Sequence, residues 1–198
     1  MKKLFICFMM LAGTMLLQAQ VQRTTAQRPA TQAAAAKTFT LTNGKLGPVQ
    51  TGVKFANIPA TYAGLYDKYT RKVETMADED GEWTTEYYQF TKAGKKVFRV
   101  NLDDSKKISS ITLQEGSAAI VKTSEGYHVG YLARTLFAMK RMQWENYYTG
   151  TVFASSGHYS FEVNSDDLLN TDIPTKAGDF KPTAKISSIT YVHTVESY

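Results

Sequence analysis

The chain has 198 residues, of which 43% are hydrophobic, 21% charged and 12% aromatic, and its formal net charge of +5 gives a pI near 9.1. This size and apolar share fit one compact domain or two small ones. They exclude a wholly disordered chain, a collagen-like repeat and a disulfide-rich scaffold.

The N-terminus has the layout of a secretory signal peptide over residues 1–19. Lys2 and Lys3 precede an apolar run that ends at the small residue Ala19. The run is too short for a membrane span, and Cys7 lies inside it rather than behind small residues at its end. We therefore expect no membrane span and no lipid anchor. The mature chain is predicted to be periplasmic or secreted, and to contain no disulfide.

Residues 20–37 are rich in Gln, Ala and Thr and carry almost no large apolar side chains, which predicts a flexible linker. The leader and this linker also hold much of the excess positive charge. From residue 37 onward the chain has 19 bases and 18 acids, a net charge of +1. A nucleic-acid partner is therefore not expected, in spite of the basic pI.

Several landmarks of the remaining chain occur twice, in the same order. The hexapeptide at 107–112 recurs identically at 185–190, and the pattern F-x-V-N-x-D-D occurs at 98–104 and again at 161–167. Upstream aromatic residues also match, namely Trp83 with Tyr87 and Tyr88, and Trp144 with Tyr147 and Tyr148. These matches predict an internal repeat with a first unit at 38–113 and a second at 114–198.

The predicted elements follow the same order in each unit. A first helix near 53–62 is interrupted by Pro59, and a hairpin turn at 78–81 precedes the first aromatic strand. Alternation of apolar and polar residues predicts strands at 98–102 and 161–163.

A second helix is predicted over 131–142. Leu132, Leu136 and Met139 are spaced as one apolar stripe, which would place Arg134 on the far side of the helix.

The order of helix, W-x-x-Y-Y, F-x-V-x-x-D-D and K-I-x-x-I resembles the secreted β-lactamase-inhibitor proteins and the small lipoprotein of the outer-membrane barrel-assembly machine. The stretch T-x-x-G-x-x-x-G at 123–130 is also similar to segments of secreted bacterial domains of unknown function. The resemblance implies an α+β fold of tandem duplicated units, each a helix packed on an antiparallel sheet. It further implies a surface that binds protein rather than an active site.

Exposed aromatic residues on a sheet are rigid, apolar and able to form hydrogen bonds, which suits a contact with a protein or another envelope component. We therefore predict a non-catalytic binding protein with an aromatic sheet surface. The candidate binding residues are Trp83, Tyr88, Trp144 and Tyr148.

Signals for catalysis are weak. The sequence has no G-x-S-x-G, H-E-x-x-H or C-x-x-C pattern, so we expect no catalytic residue, no cofactor and no metal site. Two alternatives stay open. One is an envelope hydrolase or glycan-processing enzyme that uses acidic residues such as Glu125 together with His128. The other is a carrier that holds a small molecule in a cleft between the two units.

The two units also differ in charge. Residues 83–112 contain six bases and three acids, whereas residues 144–190 contain three bases and six acids. This asymmetry predicts a dipolar molecule, which could orient a partner.

Overall fold

Apolar and polar side chains alternate in several segments between residues 68 and 192, and these segments form strands. The computed structural model describes residues 37–78, 81–140, 142–147 and 150–193, which belong to one compact unit. The predicted leader, nearly all of the predicted linker, and Tyr148 lie outside the described residues. Twelve strands are present in this part of the chain: β1 Phe39–Leu41, β2 Lys45–Leu46, β3 Val49–Gln50, β4 Lys68–Asp78, β5 Gly81–Lys92, β6 Lys95–Leu102, β7 Ile108–Leu113, β8 Val121–Thr123, β9 Trp144–Tyr147, β10 Thr151–Ser156, β11 Tyr159–Asn164 and β12 Ser188–Val192.

Eight of these strands form a single antiparallel sheet in the order β4-β5-β6-β7-β12-β11-β10-β9. The strands predicted at 98–102 and 161–163 are confirmed within β6 and β11. The predicted hairpin at 78–81 is confirmed by the pairing of Asp78 with Gly81.

One face of the sheet carries an apolar row that crosses all eight strands. Each strand contributes one residue, and each residue lies opposite the next through the strand register. Seven of the eight residues are at most 2% exposed, and the other lies on edge strand β4. In sheet order the row is Tyr69, Phe90, Phe98, Leu113, Ile189, Phe161, Ala154 and Trp144.

Shorter elements cover this apolar face. They include the parallel pair β1–β8, the hairpin β2–β3 and a helix, α1 (Ala133–Lys140). Tyr66 packs edge-on against Phe90 with 4.7 Å between ring centroids. At the far end of the row, Phe180 contacts Trp144 at 5.1 Å.

The expected fold class, tandem α+β units with a helix on each sheet, is wrong. The two halves of the chain share one sheet, because β7 from the first half pairs directly with β12 from the second. The first helix is replaced by a 3₁₀ turn at Phe55–Asn57. Ile58, which ends this turn, precedes Pro59 and is extended (φ −77°, ψ 123°), since a residue before proline disfavours the helical region.

The second helix is present but shorter than predicted, and the predicted stripe is displaced. Leu132 and Met139 are 43% and 63% exposed, whereas Ala133 and Leu136 are fully buried. Arg134 does not face away from the protein, because its Nε donates a hydrogen bond of 2.7 Å to the carbonyl oxygen of Phe180. Among the described residues, no helix is long and apolar enough to cross a membrane.

The repeated hexapeptides meet at the centre of the sheet. Thr112 pairs with Thr190, the last residue of each copy, and their hydroxyl oxygens lie 3.0 Å apart. The residues on either side form a local twofold arrangement, in which Ile111 lies opposite Tyr191 and Leu113 lies opposite Ile189. The central pair of strands therefore brings together segments that are 78 residues apart in the chain.

A close backbone approach at Gly116 gives a test of this fold. A Cβ built at Gly116 would lie 2.5 Å from the carbonyl oxygen of Lys96, so an alanine must displace the turn at Glu115–Ser117 from β6. We expect Gly116→Ala to lower the free energy of unfolding by about 1–3 kcal/mol, measured by urea denaturation.

Gly178 is the matched control, because it also lies in a 3₁₀ turn and a Cβ there meets nothing within 4 Å. Gly178→Ala should change the free energy of unfolding by no more than about 0.5 kcal/mol. Equal effects of the two substitutions would contradict the packing of the turn against β6.

Candidate interaction surface

The hairpin of β4 and β5 extends beyond the rest of the sheet. β6 pairs with β5 only as far as the Tyr87–Asn101 pair, whereas β4 and β5 stay paired out to Asp78 and Gly81. We call the two-stranded extension, residues 73–78 and 81–86, the arm. Two strands without a packed core are marginally stable in water, so the arm depends on how its base is held.

An ion-pair cluster holds one side of this base. Arg71 donates two hydrogen bonds to Glu86, from Nε to Oε1 at 2.8 Å and from Nη2 to Oε2 at 3.1 Å. Lys106 adds a third, from Nζ to Oε2 at 2.9 Å. The hydrogen bonds from Arg71 and then Lys106 lower the pKa of Glu86 to about 2, against an ordinary value of 4.5.

A tight turn delivers Lys106 to this cluster. The turn after β6 places Lys106 in the left-handed region, with φ of 60°. The backbone N–H groups of Lys106 and Lys107 bond to the carbonyl and carboxylate oxygens of Asp103, each at 2.9 Å. The repeated Asn-x-Asp-Asp segment therefore has a structural role here, as a turn that projects a cation toward the arm.

Aromatic stacking holds the same side of the base. Tyr88 is half-buried, and its ring stacks on Phe55 with 3.7 Å between centroids and 13° between planes. Tyr69 contacts Phe55 edge-on at 5.2 Å. The 3₁₀ turn that replaces the first predicted helix thus supplies the ring that covers Tyr88.

The other side of the base is polar. Tyr87 is 9% exposed, and its hydroxyl donates a hydrogen bond to Glu74 on the neighbouring strand. The hydrogen bond to Glu74 and then burial raise the pKa of Tyr87. The Arg99 guanidinium lies 5.7 Å from the centre of the Tyr87 ring. Both sides of the arm are therefore fixed where it leaves the sheet.

Trp83 lies on the arm beyond this base. Its side chain is 44% exposed and is opposite Met76 in the strand register. Val73, which is 51% exposed, lies on the opposite face of the arm. The exposed indole is therefore carried on a ribbon whose base is held on both sides.

The other predicted binding residues have different surroundings. Tyr88 is on the same strand as Trp83 but on the opposite face, under Phe55. Trp144 is 2% exposed and packs in the core on β9, at the far edge of the sheet. Within the described residues, the predicted four-residue aromatic surface is thus reduced to Trp83, and Tyr88 supports the opposite face of the arm's base.

Sequence reasoning missed the residues that support the arm, namely Phe55, Arg71, Glu86 and Lys106. Arg71 and Glu86 are 15 residues apart, and Lys106 is 20 residues from Glu86, so no local spacing connects them. The predicted turn at 78–81 was the available signal, because its position fixes which residues of the hairpin lie opposite each other.

The three histidines, of which His128 was the catalytic candidate, contact structural groups. His128 Nδ1 lies 2.8 Å from the carbonyl oxygen of Val129, and His158 Nδ1 lies 2.9 Å from that of Val192. His193 Nδ1 is 3.2 Å from the hydroxyl of Thr51. Among the described residues, no group of three or more His, Cys, Asp or Glu side chains could hold a metal ion.

A polar cleft of about 560 Å³ lies between segments from the two halves of the chain. Lys95 and Lys96 line it from the first half, and Glu162 and Ser188 line it from the second. The Ser188 hydroxyl donates a hydrogen bond of 2.6 Å to Glu162 Oε2, which orients this carboxylate. The cleft therefore presents both signs of charge.

The fold has a structural relative among known proteins. No protein family model and no curated protein matches the chain, so no family match links it to the inhibitor or lipoprotein superfamily. The chain is similar to the crystal structure of the uncharacterized protein YfeY from Escherichia coli, with a TM-score of 0.50 and 15% identity. The match covers 72% of this chain and 95% of that one, and it supports the predominantly sheet fold.

The Glu86 cluster predicts a pH-dependent stability. The folded protein lowers the pKa of Glu86, so the stabilisation is complete above pH 4.5 and is lost as pH falls toward 2. We expect Glu86→Gln to lower the free energy of unfolding at pH 7, and the difference from the unmodified protein to shrink below pH 4.5. Urea denaturation at several pH values measures this difference in the free energy of unfolding.

Glu82→Gln is the control, because Glu82 lies further out on β5 and outside this cluster. Its pH dependence should follow that of the unmodified protein. A Glu86→Gln effect that is constant between pH 7 and pH 2 would contradict the ion-pair assignment.

Proposed function

We propose that this protein is a non-catalytic binding protein of the periplasm or the extracellular space, which contacts a protein or another envelope component through the arm. The observation that carries the proposal is Trp83, a 44% exposed indole on a ribbon whose base is held on both sides. Tryptophan is enriched among the residues that dominate binding energy. An ordered ribbon also loses little conformational freedom on binding.

The N-terminal sequence supports the export part of the proposal. The charged start, apolar run and small residue at Ala19 suit a secretory leader, and the mature chain would then begin at Gln20. Such a chain would contain no cysteine and could form no disulfide. This agrees with a fold whose stability depends on its apolar row.

Crosslinking from the arm tests this function. A photo-reactive amino acid at position 83, in protein made by the native cell, should form adducts with one main envelope component. Trp83→Ala should then weaken binding to that component about thirtyfold or more, as expected for a residue contributing at least about 2 kcal/mol.

Ile173 is the matched control, because it is 46% exposed but lies outside the arm. The same reactive group at position 173 should not crosslink the component, and Ile173→Ala should leave binding unchanged. Absence of adducts from position 83, or equal adducts from both positions, would overturn the proposed function.

The cleft between the two halves favours a second candidate, a carrier of a small polar molecule. Its lining by Lys96 and Glu162 suits a ligand that carries charges of both signs.

Native mass spectrometry of protein purified from its own cell tests the carrier. We expect a bound small molecule that is absent from Lys96→Glu and retained in the control Lys122→Glu, which reverses charge on β8 outside the cleft. Protein that is free of any bound molecule, or a ligand that survives Lys96→Glu, would contradict this candidate.

A further inference from the structure

The outer edge of the sheet at β4 is long and unpaired. β4 has 11 residues and ends the strand order, so one side of it has no partner among the described residues. An unpaired edge presents backbone donors and acceptors that another strand can use. Its basic residues, Lys68, Arg71 and Lys72, come before its acidic residues, Glu74 and Asp78, and this order decides which strand would fit.

We propose that β4 pairs antiparallel with β4 of a second copy of this chain, around a twofold axis through Val73. The two sheets would then continue as one across the axis. A twofold axis normal to the sheet places corresponding faces of the two copies on the same side of the extended sheet. Opposite residues of an antiparallel pair share a face, so the residue at the axis must lie opposite its own copy. Each residue of β4 is thereby assigned an opposite residue in the second copy.

Charge complementarity selects Val73 as that residue. Lys72 then lies opposite Glu74 of the second copy, and Lys68 lies opposite Asp78, so each of these pairs occurs twice. Opposite charges across antiparallel strands stabilise their pairing, and like charges destabilise it.

Other positions of the axis are less favourable than Val73. An axis through Thr75 gives only one type of attractive pair, Lys72 opposite Asp78. An axis through Arg71, Lys72 or Glu74 places a charged residue opposite itself. An axis through Thr70 places Lys68 opposite Lys72. The Val73 register instead places an apolar side chain that is 51% exposed against its own copy at the axis.

The surroundings of the charged pair favour this contact. Lys72 and Glu74 lie on the same face of β4, and Tyr87 donates a hydrogen bond to Glu74 that orients its carboxylate on that face. Arg71, on the opposite face, is already engaged by Glu86 and is not needed across the axis. β4 of the second copy would also add a third hydrogen-bonded strand to the arm.

The chain already uses the same geometry once, within itself. At the centre of the sheet, β7 and β12 carry matching sequences and pair antiparallel around the Thr112–Thr190 pair. The proposed contact would repeat this arrangement between two molecules at the edge.

This inference goes beyond the proposed function, because it uses the backbone edge of β4 and leaves Trp83 on β5. The two proposals therefore fail separately. Absence of crosslinks from position 83 would contradict the proposed partner contact. The mass of the particle in solution tests association with a second copy.

Charge reversal tests the register. The purified protein should be a dimer by light scattering at concentrations up to about 1 mM, a range that reveals even weak association. Lys72→Glu and Glu74→Lys should each weaken the dimer about tenfold or more, because two attractive pairs become repulsive. An equimolar mixture of the two variants should restore association. Positions 72 and 74 are both negative in the first variant and both positive in the second, so every facing pair in the mixed dimer is attractive.

A cysteine scan gives an independent measurement if a charge variant does not fold. In protein that begins at Gln20 and so lacks Cys7, Val73→Cys should form an intermolecular disulfide on oxidation, because paired residues have Cβ atoms within about 5.5 Å. Thr75→Cys is the control, since Thr75 lies opposite Arg71 in this register and should not crosslink.

Lys122→Glu, on β8, controls for charge reversal in general and should leave the dimer unchanged. A monomer at all concentrations would overturn the proposal. A dimer that Lys72→Glu does not weaken, a mixture that fails to associate, or equal crosslinking at positions 73 and 75 would do the same.

Discussion

The apolar row across the eight-stranded sheet is the constraint on which the rest of the fold depends. It takes one residue from every strand, from Tyr69 on β4 to Trp144 on β9, and buries all but the β4 end almost completely. Because side chains alternate along a strand, this row fixes which face each other residue occupies. The adjacent row on the opposite face is wholly polar: Thr70, Gln89, Arg99, Thr112, Thr190, Ser160 and Ser155.

The arm is the part of the sheet that this row does not stabilise. Beyond the base there is no third strand and no covering layer among the described residues, so hydrophobic burial cannot hold the two strands together. The base of the arm is instead stabilised by specific polar and aromatic contacts, namely the Glu86 ion pairs and the stacking of Phe55 on Tyr88. The arm therefore combines exposed apolar residues with a base that is held in place. Both features favour binding, because a surface held in place loses less conformational freedom when a partner binds.

Local patterns in the sequence predicted the strands but not their neighbours. Alternation around Phe98 and Phe161 is a property of a few adjacent residues, and it correctly indicated β6 and β11. The pairing of β7 with β12 joins residues far apart in the chain, so no spacing rule reveals it. The first helix failed because Pro59 holds Ile58 extended, and the aromatic site was only partly predictable because alternation does not say what covers each face.

The two tryptophans show how similar sequences acquire different roles. Trp83 lies on β5 and Trp144 on β9, so the matched residues do not occupy matching strands. Tyr69 and Trp144 occupy the two ends of the apolar row, and each lies on an edge strand of the sheet. β5 has 12 residues and β10 has six, and this difference in length carries Trp83 past the last covered position. Extension of one hairpin therefore exposes an aromatic residue and lengthens an edge strand at once, which is why both proposed contacts lie on the same side of the molecule.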